Sequence, residues 1–351
     1  MTRVLELNPI HPDLELIAEA AAVIRAGGLV AFPTETVYGL GADGLSVGAV
    51  EKIFAAKQRP SSDPLILHLS SLGELERVVS IAPELEEIVS RLAQEFWPGP
   101  LTLVLPKLKQ VPNAVTSNGP SVAVRIPAHP VALELIRAAD TPIAAPSANL
   151  FSRPSPTSAA DVLEDLRGRI DLVLDAGPTR IGVESTVLSL TSSVPTLLRP
   201  GGLSLESLEA VIGPVMLPGE AIVADGVNAP APGMLLKHYS PRARLECLMG
   251  ATGPALLEAL RERVEHLKTD KLGLLLPDSS LKILEHVQAE KFSLGDSLET
   301  CAARMFQGMR ALDRAGVNAI LTHGFENSGL GRALNDRLFR AAEGNITILE
   351  P

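Results

Sequence analysis

Short apolar runs alternate with longer stretches of helical periodicity along this chain, and that alternation narrows the fold more than any other feature. Leu14 to Ala26 places apolar side chains at helical spacing, Gly27 and Gly28 stop the helix, and L-V-A-F follows as a short strand. Similar apolar runs recur at Leu65–Leu69, Leu101–Leu105, Val122–Ile126, Ile143–Ala145, Asp171–Leu174 and Thr186–Leu190. Helical patterns lie between them at Gly48–Ala56, Glu84–Phe96, Val131–Ala139 and Ala159–Leu166. A sheet flanked by helices is the economical way to bury such a pattern. Several connections are too short for parallel crossovers, so a mixed sheet is expected.

At 351 residues the chain exceeds one ordinary core and predicts two domains. After Leu203–Ile212 the sequence turns dense in proline and glycine, as G-P-V-M-L-P-G-E and N-A-P-A-P-G-M. The spacing therefore predicts a first domain over 10–212, a linker over 213–243 and a small α/β domain over 244–351. In the last, helices are expected at Pro254–Lys268 and Ser297–Ala315, with strands at Leu272–Leu276 and Ala319–Thr322.

A hydrophobic content of 46% with 21% charged residues is a globular profile. Aromatics at 3% leave little for stacking single-stranded nucleic acid, and a net charge of -10 opposes stable binding of a long polyanion. Cys247 and Cys301 stand far apart, which argues against a disulfide framework or a zinc site and for a cytoplasmic setting. The N-terminus has no apolar leader core, and no uncharged apolar run approaches membrane length, so secretion and membrane insertion are disfavoured.

Polar clusters gather at the ends of the predicted strands. K-Q-R-P, from Lys57 to Pro60, sets two cations two residues apart, suited to bracketing a triphosphate or, alternatively, solvated at a helix end. In S-V-A-V-R-I-P, strand alternation puts Val122, Val124 and Ile126 on one face and Ser121, Ala123 and Arg125 on the other. Arg125 then holds a carboxylate in a cleft or faces water on an edge strand. A-A-P-S-A-N, from Ala144 to Asn149, offers a hydroxyl, an amide and turn N–H groups to an oxygen-rich ligand, or is an ordinary turn. His68 closes L-I-L-H, a context that fits a packed histidine, whereas His238 and Tyr239 in K-H-Y-S-P stand in the linker without structural need. Walker, dinucleotide, nucleophile-elbow and H-E-x-x-H motifs are absent.

F-P-T-E-T-V-Y-G-L-G, K-Q-R-P, D-P-L-I-L-H, F-W-P-G-P-L-T, S-V-A-V-R-I-P, A-P-S-A-N, G-V-E-S-T-V and L-R-P-G, in that order, resemble the YrdC-type threonylcarbamoyl-AMP synthases. The later P-G-M-L-L-K-H-Y-S-P and the small final domain resemble the long, two-domain form. The resemblance implies a twisted mixed-sheet catalytic domain with a deep cleft and a smaller, Rossmann-like α/β domain. It implies synthesis of threonylcarbamoyl-AMP from L-threonine, bicarbonate or CO2 and ATP, with Mg²⁺ on the phosphates. The product would pass to a tRNA threonylcarbamoyltransferase acting on adenosine 37. Thr34, Thr36, His68, Arg125 and Ser185 are implied to hold threonine, with Arg125 on its carboxylate. Lys57, Arg59, Asp63, Ser121, Ser147, Asn149, Ser155, Arg199 and Tyr239 are implied for ATP, Lys57 and Arg59 being the catalytic cations. Asp63 stands where the family more often has asparagine, which points to a metal or water contact. The stretch Pro218–Pro241 is expected to act as a lid. A carbamoyl-phosphate-using maturation enzyme and an RNA-binding module are the alternatives, opposed respectively by the missing zinc-finger segments and by the acidic charge.

Overall fold

The computed structural model describes residues 1–217, 238–267, 269 and 271–349, and the chain divides into two compact units. The first comprises Met1–Phe151, Ser155–Arg180 and the stretch that begins at Glu184. Its strands are β1 (Arg3–Glu6), β2 (Val30–Pro33), β3 (Tyr38–Asp43), β4 (Ile66–His68), β5 (Leu101–Pro106), β6 (Ser121–Arg125), β7 (Ile143–Ala144), β8 (Leu172–Asp175), β9 (Thr186–Ser189) and β10 (Thr196–Arg199). Its helices are α1 (Leu14–Arg25), α2 (Val47–Lys57), α3 (Pro83–Phe96), α4 (Pro130–Ala139), α5 (Ala159–Leu166) and α6 (Leu205–Ile212).

The ten strands form one sheet in the order β1-β8-β2-β3-β7-β4-β6-β5-β9-β10. Parallel pairs (β1 with β8, β4 with β6, β5 with β9) mix with antiparallel ones (β2 with β3, β5 with β6, β9 with β10), as the short connections require. Local chemistry sets the element ends. The Asp13 carboxylate accepts from the N–H groups of Glu15 and Leu16 to start α1, whose Ile17, Ala20, Ala21 and Ile24 form the buried stripe.

Strand register decides which face becomes the site. Val122, Val124 and Ile126 enter the main core with Leu67 and Ala144. On the opposite face α1 and α4 pack over β2, β7 and β8 through Ile17, Ile24, Leu135, Phe32, Ile143 and Leu174. His68 pairs with Ile143 and with Arg125, and Ile66 pairs with Ala123, so these residues share that second face. Across β4, β6, β5 and β9 its apolar cover shrinks to a cluster of Ile66, Val104, Ala123 and Val187, with Leu198 partly buried against it. This strip is a floor with polar residues at its margins.

The second unit comprises Ser152–Pro154, Ile181–Val183 and the described part of the chain from His238 onward. Strands β11 (Arg244–Met249), β12 (Leu272–Leu276), β13 (Glu290–Ser293), β14 (Ala319–His323) and β15 (Ile346–Ile348) form a parallel sheet in the order β13-β12-β14-β11-β15. Helices α7 (Gly253–His266), α8 (Asp278–Ile283), α9 (Leu298–Ala315) and α10 (Gly329–Ala341) connect the strands. The two internal tripeptides rest on α9. Arg310 donates to the Pro154 carbonyl, Arg153 pairs with Asp313 at 3.0 Å, and a Cβ at Gly182 would lie 2.4 Å from the Ala302 carbonyl oxygen. Cys247 and Cys301 are buried and free, and burial pushes the Cys301 thiol up to about 11. Among the described residues no helix is long and apolar enough to cross a membrane. Most of the expected lid, Pro218–Pro241, lies outside the described residues.

Candidate active site

The hairpin of β2 and β3 turns through Thr34–Val37 and delivers three consecutive side chains to the site. Thr34 Oγ1 donates to the Val37 carbonyl at 2.7 Å and accepts from the Thr36 N–H at 3.2 Å. The two threonine hydroxyls are 2.8 Å apart, and Arg125 Nη1 donates to Thr36 Oγ1 at 3.0 Å. Because the Thr34 proton is committed to Val37, the order of donation is fixed: Arg125 to Thr36, Thr36 to Thr34, Thr34 to the backbone. Arg125 Nε donates to the Gly99 carbonyl at 3.1 Å. Its Nη2 lies 2.7 Å from Glu35 Oε1, and the other Glu35 oxygen accepts from the Ala128 N–H at 3.1 Å. Both side chains of this ion pair are buried, at 4% and 5% exposure.

β6 is an interior strand between β4 and β5, so the edge-strand alternative for Arg125 does not hold. Burial and the Arg125 charge lower the His68 pKa from 6.5 to about 3, so the ring is neutral at physiological pH. Hydrogen bonds to the backbone of Ile66 and Ile143 oppose that shift, and Nδ1 has no partner among the described residues. The edge of the ring meets Phe32, with centroids 6.3 Å apart.

The sign of the pH effect follows. Unfolded, His68 takes up a proton below about pH 6.5, whereas the folded chain resists it down to about pH 3. Stability is therefore lost as pH falls through that window, by up to about 1.4 kcal/mol per unit. His129 and His323 are shifted the same way by burial, so a His68→Gln variant isolates this contribution. Between pH 7.5 and 5.0, urea unfolding should show the variant losing about 2 kcal/mol less than the parent; parallel losses would exclude His68 as the source.

A second cluster lies across β5, β9 and β10. Ser185 Oγ is 2.8 Å from Thr102 Oγ1, and Arg199 donates through Nε and Nη2 to the Ser185 carbonyl and through Nη2 to its hydroxyl at 3.2 Å. Gly201 is required here. A Cβ at this position would lie 2.4 Å from backbone atoms of Glu184, Ser185 and Thr186, so Gly201→Ala must displace Ser185. A loss of about 1–3 kcal/mol is expected, read as a lowered urea midpoint, together with weaker ligand binding; an unchanged midpoint would contradict this packing.

The cations of K-Q-R-P are buried rather than solvated, with Lys57 at 1% and Arg59 at 7% exposure. Gln58 between them takes a left-handed conformation, φ 54°, ending α2 and separating the two side chains. Lys57 Nζ donates to the carbonyls of Ser147 and Asn149, fastening the A-P-S-A-N turn. Arg59 pairs with Asp63 at 2.9 Å and donates to the Asp63 and Pro64 carbonyls, bracing its own loop. Asp63, for which a metal or water contact was expected, thus meets a guanidinium. Among the described residues no group of three or more His, Cys, Asp or Glu side chains could hold a metal. Ser155 Oγ donates to Glu184, both buried.

Thr34, Thr36, His68 and Arg125 thus gather at one end of β6, and Ser121 stands at the other, roughly 13 Å away along the extended strand. Ser185 and Arg199 form one linked group, and Lys57 with Ser147 and Asn149 another. Tyr239 belongs to the second unit, where its buried ring is 4.0 Å from His238 and 5.3 Å from Phe306 by centroids, with the Arg337 guanidinium 5.0 Å over its face. Glu35, Thr102 and Glu184 escaped the sequence reading. Each lies inside a motif quoted above, and Glu35 and Glu184 also stand beside a candidate residue, which was the available signal.

Known proteins resemble this chain over nearly its whole length. The family model described as "Telomere recombination", covering Sua5, YciO and YrdC, matches residues 22–201, and "Threonylcarbamoyl-AMP synthase, C-terminal domain" matches residues 203–343. Threonylcarbamoyl-AMP synthase of Pyrococcus abyssi is 47% identical over 92% of this chain and 93% of its own length. That of Bacillus subtilis is 43% identical over 97% and 96%. The crystal structure of P. abyssi Sua5 complexed with L-threonine superposes with a TM-score of 0.92, at 44% identity over 99% of this chain and 100% of that one. On the two domain matches and these full-length relatives, the chain belongs to the Sua5/YciO/YrdC family, in its two-domain form.

Proposed function

We propose that the protein is an L-threonylcarbamoyladenylate synthase, a nucleotidyltransferase that converts L-threonine, bicarbonate or CO2 and ATP to threonylcarbamoyl-AMP and pyrophosphate. The observation that carries this reading is the buried donor chain from Arg125 through Thr36 to Thr34, set beside neutral His68 on the part of the sheet face where the apolar cover is thinnest. Such a site suits a small polar molecule bearing a carboxylate and a hydroxyl. The full-length relatives named as synthases, and the threonine complex of one of them, support threonine as that molecule.

In the proposed reaction the threonine ammonium first loses a proton, and the free amine bonds to CO2 and releases a second, giving a carbamate. A carbamate oxygen then attacks the α-phosphorus, and the bond to pyrophosphate breaks. No protein group need become covalently attached; the contribution is positioning and charge neutralisation. Arg125 would orient the carboxylate, and neutral His68 would accept a hydrogen bond through Nδ1. The floor of Ile66, Ala123, Val104 and Val187 would lead toward Ser121. Lys57 and Arg59 would set the loops that meet the phosphates, with Asp63, Ser147, Asn149, Ser155 and Arg199. Tyr239 would join them, as the family resemblance implies. Mg²⁺ would arrive with ATP and neutralise phosphate charge.

The product would supply a tRNA threonylcarbamoyltransferase acting at adenosine 37, in the cytoplasm. Pyrophosphate release tests the reading. It should require threonine and bicarbonate together; release supported equally by carbamoyl phosphate without threonine would replace it with the maturation-type reaction.

A further inference from the structure

Two buried atoms in the site face each other without a hydrogen bond. Arg125 Nη2 and Glu35 Oε1 are 2.7 Å apart, yet neither has a hydrogen-bond partner of acceptable geometry among the described residues. Their charges compensate while one donor direction and one acceptor direction stay unused, an arrangement that costs free energy unless something else engages both. His68 Nδ1, on the strand paired with β6, is a third buried atom in the same condition. A bare carboxylate brought to Arg125 would answer one of these atoms and stand beside the like charge of Glu35. A zwitterion answers both: its carboxylate accepts from Arg125 and its ammonium donates to Glu35.

We propose that Glu35 is a specificity-determining residue that recognises the α-ammonium group, so that the Glu35–Arg125 pair selects an α-amino acid over the corresponding hydroxy acid. The proposal rests on the reading of this site as the threonine site and adds Glu35 to it. Glu35 can do this because its second oxygen is fixed by the Ala128 N–H, just beyond the end of β6, and its backbone lies between Thr34 and Thr36. The carboxylate is thereby held in place instead of swinging to solvent.

Calorimetric titration of the full chain with L-threonine and with 3-hydroxybutyrate, which is threonine without its amine, tests the idea. The unaltered protein should prefer threonine by more than about tenfold. In Glu35→Gln, which keeps shape and loses charge, threonine should weaken by more than about tenfold while 3-hydroxybutyrate binds as well or better, bringing the ratio toward one. A ratio unchanged in Glu35→Gln would overturn the proposal, because a residue that merely steadies Arg125 weakens both ligands alike. Should circular dichroism show that variant unfolded, Glu35→Asp and the unaltered protein decide. Equal binding of the two ligands by the unaltered protein overturns the proposal, and retained preference in the aspartate variant supports it. An unaltered protein that binds neither ligand removes the threonine reading together with the proposal, whereas threonine binding with an unshifted ratio removes Glu35 alone.

Discussion

Replacing Arg125 by methionine is expected to cost about 3–5 kcal/mol of folding stability and to abolish threonine binding. The side chain is buried and joins three parts of the site at once, through Gly99, Thr36 and Glu35. Methionine fills much of the volume but leaves the Glu35 carboxylate buried without its counter-charge, and an unpaired buried ion is far costlier than an absent pair. The companion variant makes the test specific. Arg125→Met with Glu35→Gln removes both charges, so urea denaturation should return much of the lost stability without restoring threonine binding. A single variant that loses less than about 1 kcal/mol would mean that the pair is relieved by solvent.

Lys57→Met should separate the two substrates. The ammonium holds the carbonyls of Ser147 and Asn149, so its loss releases the A-P-S-A-N turn from the end of α2. Hydrogen bonds from a charged donor contribute about 1.5–3 kcal/mol each, which places this among the more damaging single changes available. Adenylate formation, followed as pyrophosphate release, should fall by roughly two to three orders of magnitude, in the range seen when a preorganised donor is removed. Threonine should still bind, because Lys57 takes no part in the hydrogen bonds among Thr34, Thr36 and Arg125 or in the Arg125–Glu35 ion pair. Unchanged turnover would remove Lys57 from the catalytic set.

Much of the first unit could be read from pattern alone, because its elements are bounded by strong local signals. The helix expected to end before Gly27 runs Leu14–Arg25, and the apolar run expected at Leu101–Leu105 is a strand over Leu101–Pro106. β3 was concealed because Y-G-L-G reads as a loop. Its Gly41 is there for packing, since a Cβ would meet Phe32 at 2.7 Å and Ile143 at 2.8 Å. β13 and β15 were missed for a different reason: both are edge strands, largely exposed, β13 poor in apolar residues and β15 only three residues long. In the site, Arg125 could be placed on the correct face because strand alternation is a local property. Glu35 could not be recognised in the same way. A carboxylate between two threonines looks solvated until the sheet brings a distant strand end to within 2.7 Å. The cations of K-Q-R-P illustrate the same limit, since the pattern marked them but could not show that carbonyl oxygens would claim them.

The second unit is built from three separate pieces of chain, and this decides where the protein can be divided. A cut at Arg244 looks, by numbering, like a clean separation of modules. It would strand Ser152–Pro154 and Ile181–Val183, taking Arg310 from the Pro154 carbonyl, Asp313 from Arg153 and the bed of Ala302 and Ala303 from Gly182. Those tripeptides abut Ser155 and Glu184 in the chain, so the damage would begin one residue from the site. Exchanging this unit between relatives would therefore need grafts at both internal positions as well as a new C-terminal segment.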